Sequence, residues 1–178
     1  MSGKKRVLFF CSASKEIDPK FNQAARNIIR AACLRGYEIV SGGTVKGTMG
    51  VIGEEAAACG GYHIGVLPKF MKGMECPTLD ETHWMDTMSA RKEKMREGVT
   101  HVIALPGGIG TLDELIETLV LVKLHRMEAR IMAFDLDGFY QPLRNLLDHY
   151  VATGMMTQED RNIISFPKTV EELMEKID

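Results

Sequence analysis

Five short apolar runs recur along the chain, RVLFFC (6–11), YEIV (37–40), YHIGVLP (62–68), HVIALP (101–106) and RIMAFD (130–135), each separated from the next by a stretch long enough for a helix. Strands that read as near-continuous apolar runs are buried on both faces, which is the habit of parallel strands. The intervening segments, predicted helical at about 18–35, 48–59, 84–98 and 110–127, then 139–153 and 168–178, supply that cover because right-handed crossovers place them outside the sheet. The pattern predicts an α/β fold: a Rossmann-like, doubly wound parallel sheet flanked by helices on both faces. With 178 residues and 45% hydrophobic content, a single domain over 1–178 can bury its own core, and no repeat, low-complexity tract or long like-charge block divides it.

In such sheets ligands bind beyond the carboxyl ends of the strands, so the loops that follow strands come first. Three stand out: CSASKEIDP (11–19), SGGTVKGTMG (41–50) and PGGIGT (106–111), two of them rich in glycine. Any anion site among them is local, because a net charge of −2 from 22 basic and 24 acidic residues gives no general attraction for nucleic acid or an anionic membrane. The start, MSGKKRVLFFCSASK, turns polar too soon for a signal peptide or a spanning helix and reads as a first core strand. Cys11, Cys33, Cys59 and Cys76 form no C-x-x-C pair and the five histidines lack H-E-x-x-H spacing, so no metal is assigned and a reducing cytoplasm is expected.

Gly107, Gly108 and Gly110 lie where an apolar strand gives way to a helix. They are expected to adopt positive φ and to let the backbone approach a ligand, while the helix offers unpaired amides and the positive end of its dipole to a phosphate. Thr111 adds a hydroxyl. The spacing is neither the Walker loop nor G-x-G-x-x-G, which disfavours an ATPase or a nicotinamide or flavin dehydrogenase. Thr111 and Glu114 also fit the T-x-x-E capping box, a local device that needs no ligand, but the second glycine loop at 41–50 is unnecessary for capping and favours a phosphate crevice. In WMDTMSARKEKMREG (84–98), Glu93, Lys94, Arg96 and Glu97 read as a solvated helix face, whereas Arg91 and Lys92 suit recognition of an anion.

P-G-G-x-G-T-x-x-E at Pro106–Glu114, the Arg91, Lys92 and Met95 grouping, G-x-M-G at Gly47–Gly50, FFCSAS near the start and DGFYQPL at 137–143 together resemble the LOG (LONELY GUY) family across nearly the whole chain. Its members are cytokinin riboside 5′-monophosphate phosphoribohydrolases, often mislabelled lysine decarboxylases. The resemblance implies hydrolysis of the N-glycosidic bond of a purine nucleoside 5′-monophosphate, AMP or a cytokinin-type riboside monophosphate, to free base and ribose 5-phosphate, with no cofactor. It implies Arg91 and Glu114 as the catalytic pair, Gly107, Gly108, Gly110 and Thr111 as the phosphate loop, Gly42, Gly43 and Gly47 as a second nucleotide-contacting loop, and Met88 and Lys92 as further substrate contacts. It also implies a homodimer with active sites near the interface.

Several residues depart from the family pattern and bear on the base. M-H-E-R-K reads Met88, Ser89, Ala90, Arg91, Lys92; Thr44 replaces a glycine and Lys46 adds a charge; T-W-x-Q reads Val120, Leu121, Val122, Lys123. The competing reading is a non-catalytic carrier of a nucleotide or of the molybdenum cofactor, since the same loops can hold a ligand without cleaving it. Lysine decarboxylation needs a pyridoxal phosphate site with a Schiff-base lysine, which no motif marks.

Overall fold

A computed structural model describes residues 5–177; the first residues of the basic start and position 178 of the predicted last helix lie outside the described residues. The strands are β1 (Arg6–Phe10), β2 (Glu38–Ser41), β3 (His63–Pro68), β4 (Glu81–Met85), β5 (Val99–Ala104), β6 (Arg130–Ala133) and β7 (Ile164–Ser165), and the helices are α1 (Pro19–Leu34), α2 (Gly47–Ala58), α3 (Met88–Arg96), α4 (Ile109–Lys123), α5 (Gln141–Ala152), α6 (Gln158–Arg161) and α7 (Val170–Ile177). All seven strands run parallel in the order β4-β3-β2-β1-β5-β6-β7. The expected doubly wound sheet is present, with two strands more than the five apolar runs.

Alternation along β1 explains the two cores. Val7 and Phe9 point to one face, where Ala25, Ile28 and Ile29 of α1 and Leu173 and Ile177 of α7 cover them. Leu8 and Phe10 point to the other, against Met95 of α3 and Leu115 and Leu119 of α4. Successive strand side chains take opposite faces, so a strand buried on both sides must be apolar at every position. Burying each of these phenylalanines is worth about 1.5–3 kcal/mol.

The order places β1 at the centre with β2 and β5 on its two sides. After β1 the chain builds outward to β4, then returns to the far side of β1 at β5 and builds outward again. The loops leaving β1 and β5 therefore diverge to opposite faces and open a crevice, the ligand position of doubly wound sheets. Phe10 pairs with Ala104, and Leu105 N–H donates to the Phe10 carbonyl at 2.8 Å, so the strands end in register directly beneath that crevice.

Candidate active site

The N-cap of α4 is Gly108, which has no side chain to bond the first amides. The first intrahelical bond runs from Leu112 N–H to the Gly108 carbonyl at 3.1 Å, so the amides of Ile109, Gly110 and Thr111 have no acceptor within the helix. The capping-box reading fails here. Thr111 lies inside the helix, and its hydroxyl donates to the Cys11 carbonyl at 2.9 Å, tying the loop after β5 to the loop after β1.

The three glycines of this loop work differently from expectation, since none has positive φ. A Cβ on Gly107 would stand 2.2 Å from Thr111 Oγ1, so glycine is what allows the loop to close on that threonine; a Cβ on Gly108 or Gly110 would meet nothing within 4 Å. Those two positions border empty space in which a ligand can approach the backbone. Positive φ occurs instead in the second loop, at Gly43 (73°) and Gly47 (53°). Gly47 packs on the first loop, where a Cβ would lie 2.6 Å from Ser14 O, and Gly43 packs on Gly65, where a Cβ would lie 2.7 Å from its Cα. Gly42 leaves room for Arg91, whose Nη2 would be 2.6 Å from an added Cβ.

Arg91 is buried on α3. Its Nε donates to the Val66 carbonyl at 2.8 Å and its Nη1 to Glu114 Oε1 at 3.1 Å. The pair thus joins α3, beside the β3–β4 half of the sheet, to α4, which leaves β5. Burial holds the Glu114 carboxyl above its ordinary pKa, with Arg91 pulling the other way. The result is a poorly hydrated carboxylate kept in one orientation by a fixed cation.

These elements enclose a cavity of about 430 Å³ whose wall includes Gly42, Met88, Arg91, Lys92, Gly108, Gly110, Thr111 and Glu114. Gly43, Gly47 and Gly107 do not line it; they act behind the wall through the packing just described. Lys92 reaches it, but its ammonium contacts Asp113 Oδ2 at 3.0 Å and Glu117 Oε2 at 2.7 Å, and these carboxylates, Glu117 first, raise its pKa. Arg96 also does more than solvate a face, since it contacts Glu117 at 3.3 Å. Positions 120–123 lie away from the cavity: Val122 packs on the core and Lys123 pairs with Asp160 at 3.1 Å.

Sequence reasoning identified the loop after β1 as one to inspect but assigned none of its residues. Cys11, Ser12, Ala13 and Ser14 all line the cavity, and burial pushes the Cys11 thiol up, with Glu114 adding to the effect. Met49, Met71 and Met95 join Met88 on the walls, giving an apolar and adaptable surface. The one usable signal was topological, because a loop leaving the central strand at the point where strand order reverses must face the crevice.

The family model described as "possible lysine decarboxylase" matches residues 49–177. A probable cytokinin riboside 5′-monophosphate phosphoribohydrolase of Oryza sativa subsp. japonica is 32% identical over 176 residues, which is 98% of this chain and 83% of that protein. A cytokinin riboside 5′-monophosphate phosphoribohydrolase of Arabidopsis thaliana is 31% identical over 175 residues, 97% of this chain and 81% of that one. Among solved structures, the molybdenum cofactor binding protein of Rippkaea orientalis superposes with a TM-score of 0.73 at 20% identity, covering 99% of this chain and 97% of the other. The molybdenum cofactor carrier protein of Chlamydomonas reinhardtii gives 0.72 at 15% identity, covering 98% and 96%. At such identities the structural likeness concerns the fold alone.

Proposed function

Because the chain belongs to the LOG family, the one whose model carries the description "possible lysine decarboxylase", we propose that it hydrolyses the N-glycosidic bond of a purine nucleoside 5′-monophosphate, releasing the base and ribose 5-phosphate. The observation that carries this reading is the Arg91–Glu114 pair, set on the wall of the same cavity as the open amides that begin α4.

The 5′-phosphate is seated at Gly108, Gly110 and Thr111, where first-turn amides and the helix dipole favour an anion. Glu114 follows Thr111 by three residues and so lies about one turn along the helix. Cleaving the bond builds positive charge on the ribose ring oxygen and C1′, and the Glu114 carboxylate stabilises that charge or orients the attacking water. The raised pKa of Glu114 makes it the stronger base for the second role. Arg91 keeps it ionised and aimed. The phosphate is the remote handle whose binding energy places C1′ beside the carboxylate. Met88 and the methionines near it receive the base, and Lys92 orders the wall through Asp113 and Glu117.

A Schiff base requires a neutral amine, and Asp113 and Glu117 hold Lys92 protonated, which argues against Lys92 in a decarboxylase role. We further place the chain in a homodimer. Ile109 is 82% exposed beside the phosphate loop, and the exposed Leu112, Phe139 and Leu146 extend its apolar surface along a groove next to Gly107 and Gly108. Such continuity of apolar surface with a site is what an isologous interface uses. Light scattering after size exclusion tests this, a monomer at micromolar concentration opposing it. No helix among the described residues is long and apolar enough to cross a membrane, and a cytoplasmic location belongs to the same proposal.

The decisive experiment is a panel of nucleoside 5′-monophosphates assayed for free base and ribose 5-phosphate. AMP is expected to turn over and adenosine to be a poor substrate, while Glu114→Gln lowers kcat by about 10²–10⁴ with AMP binding retained. No release from any common monophosphate refutes hydrolysis and favours the carrier reading; equal turnover of adenosine and AMP refutes the phosphate seat.

A further inference from the structure

Three cations line the cavity, Lys46, Arg91 and Lys92, and the carboxylates around it account for two of them. Arg91 is held by Glu114 at 3.1 Å and Lys92 by Asp113 and Glu117 at 3.0 and 2.7 Å. Neither has surplus charge for a ligand that is itself an anion. Lys46 differs: among the described residues its ammonium makes no ion pair and no hydrogen bond.

Its backbone, by contrast, is fixed. Lys46 N–H donates to Thr44 Oγ1 at 3.2 Å, Val45 N–H to the Met74 carbonyl at 3.0 Å and Cys76 N–H to the Gly43 carbonyl at 2.8 Å. The next residue, Gly47, is wedged against the first loop. The result is an exposed charge on a four-carbon stem whose backbone is anchored, set on the cavity wall.

A phosphate monoester carries about −1.5 to −2 charge near pH 7, while the first turn of a helix offers only about half a positive charge. About one to one and a half units of negative charge are left unmatched, and the nearby Glu114 adds repulsion. We propose that Lys46 supplies the missing counter-charge and so makes the site select 5′-phosphorylated nucleosides over nucleosides. This rests on the phosphoribohydrolase reading of the same cavity.

The test compares the wild type with Lys46→Gln and Lys46→Arg, measuring AMP affinity by calorimetry, adenosine affinity by competition, and AMP hydrolysis by initial rates. Lys46→Gln is expected to raise Kd and KM for AMP about tenfold, as loss of one charged contact does, to leave kcat within about twofold, and to leave adenosine affinity unchanged. It also flattens the weakening of AMP binding between about 0.05 and about 0.3 M salt. Lys46→Arg retains most of the affinity. Because the ammonium makes no ion pair or hydrogen bond among the described residues, the melting temperature is expected to stay within error for both variants. Unchanged AMP affinity in Lys46→Gln, or equal losses for AMP and adenosine, overturns the assignment. Tight, Lys46-dependent AMP binding without base release sinks hydrolysis and upholds Lys46, whereas full turnover indifferent to Lys46 does the reverse.

Discussion

Replacing Arg91 by methionine isolates what the buried guanidinium does, because methionine keeps the apolar stem and deletes both polar contacts. The Val66 carbonyl loses its 2.8 Å donor, at about 1–3 kcal/mol for a buried acceptor left unmade. Glu114, already raised by burial, loses the cation at 3.1 Å that opposes the shift. Its penalty has a ceiling, since the carboxylate can take up a proton instead of remaining an unpaired buried charge. From the ordinary value of 4.5, that protonation costs about 3.4 kcal/mol at pH 7 and about 1.4 kcal/mol at pH 5.5, at about 1.4 kcal/mol per pH unit. The sign follows: the variant's folded state holds a proton that its unfolded state releases, so relative stability is lost as pH rises from 4.5 toward the new folded pKa. Urea denaturation should therefore show Arg91→Met destabilised at pH 7 by up to about 6 kcal/mol, and by up to about 2 kcal/mol less at pH 5.5. In Arg91→Met combined with Glu114→Gln the extra pH dependence vanishes. A destabilisation identical at both pH values, or a double variant that keeps the slope, refutes the argued coupling.

Two further predictions separate folding from binding in the same loop. Gly110→Ala points its methyl into open space and replaces a poor helix former by the best one, so stability is unchanged or up by as much as about 1 kcal/mol, while KM for AMP rises because the methyl occupies the ligand's path. Gly107→Ala drives a methyl to within 2.2 Å of Thr111 Oγ1 and loses about 1–3 kcal/mol; melting curves and Michaelis plots for the pair read both effects, and a destabilised Gly110→Ala with normal KM contradicts the assignment. The pH profile of kcat/KM gives the third. In the proposed mechanism Glu114 acts ionised, and burial raises its pKa, so activity on the acid side is expected to fall at a pH above 4.5; a limb at or below that value excludes this group as the one titrating.

Legibility in the sequence followed how far a residue's role depends on distant partners. β1, β2, β3, β5 and β6 were readable because strands covered on both faces need apolar residues throughout. β4 was not: it lies at the sheet edge, every residue is at least partly exposed, and its Trp84–Met85 end was absorbed into the helix that follows. β7 has only two residues, too few for any periodicity. Thr111 and Glu114 matched a capping box by spacing, yet their partners are Cys11 and Arg91, which only the crossover brings near. Lys92 illustrates the same limit. Its type and position suggested an anion contact, and nothing local announced that Asp113 and Glu117, 21 and 25 positions later in the chain, hold it.

In the proposed mechanism the burial of Glu114 also favours hydrolysis over carriage on one fold. A protein that only holds a phosphorylated ligand gains from cations and amides near the phosphate and loses from a carboxylate beside it, because like charges in a poorly hydrated cavity repel. Keeping Glu114 on the wall, above its ordinary pKa through burial and with Arg91 opposing that shift, weakens ground-state binding of an anion. That arrangement is favourable only toward a state of the ligand that carries positive charge, and the sugar acquires such charge when its glycosidic bond breaks. Preferential stabilisation of that fleeting state over the bound ground state is what accelerates a reaction. On the proposed reading the pair is thus energetically sensible for a phosphoribohydrolase.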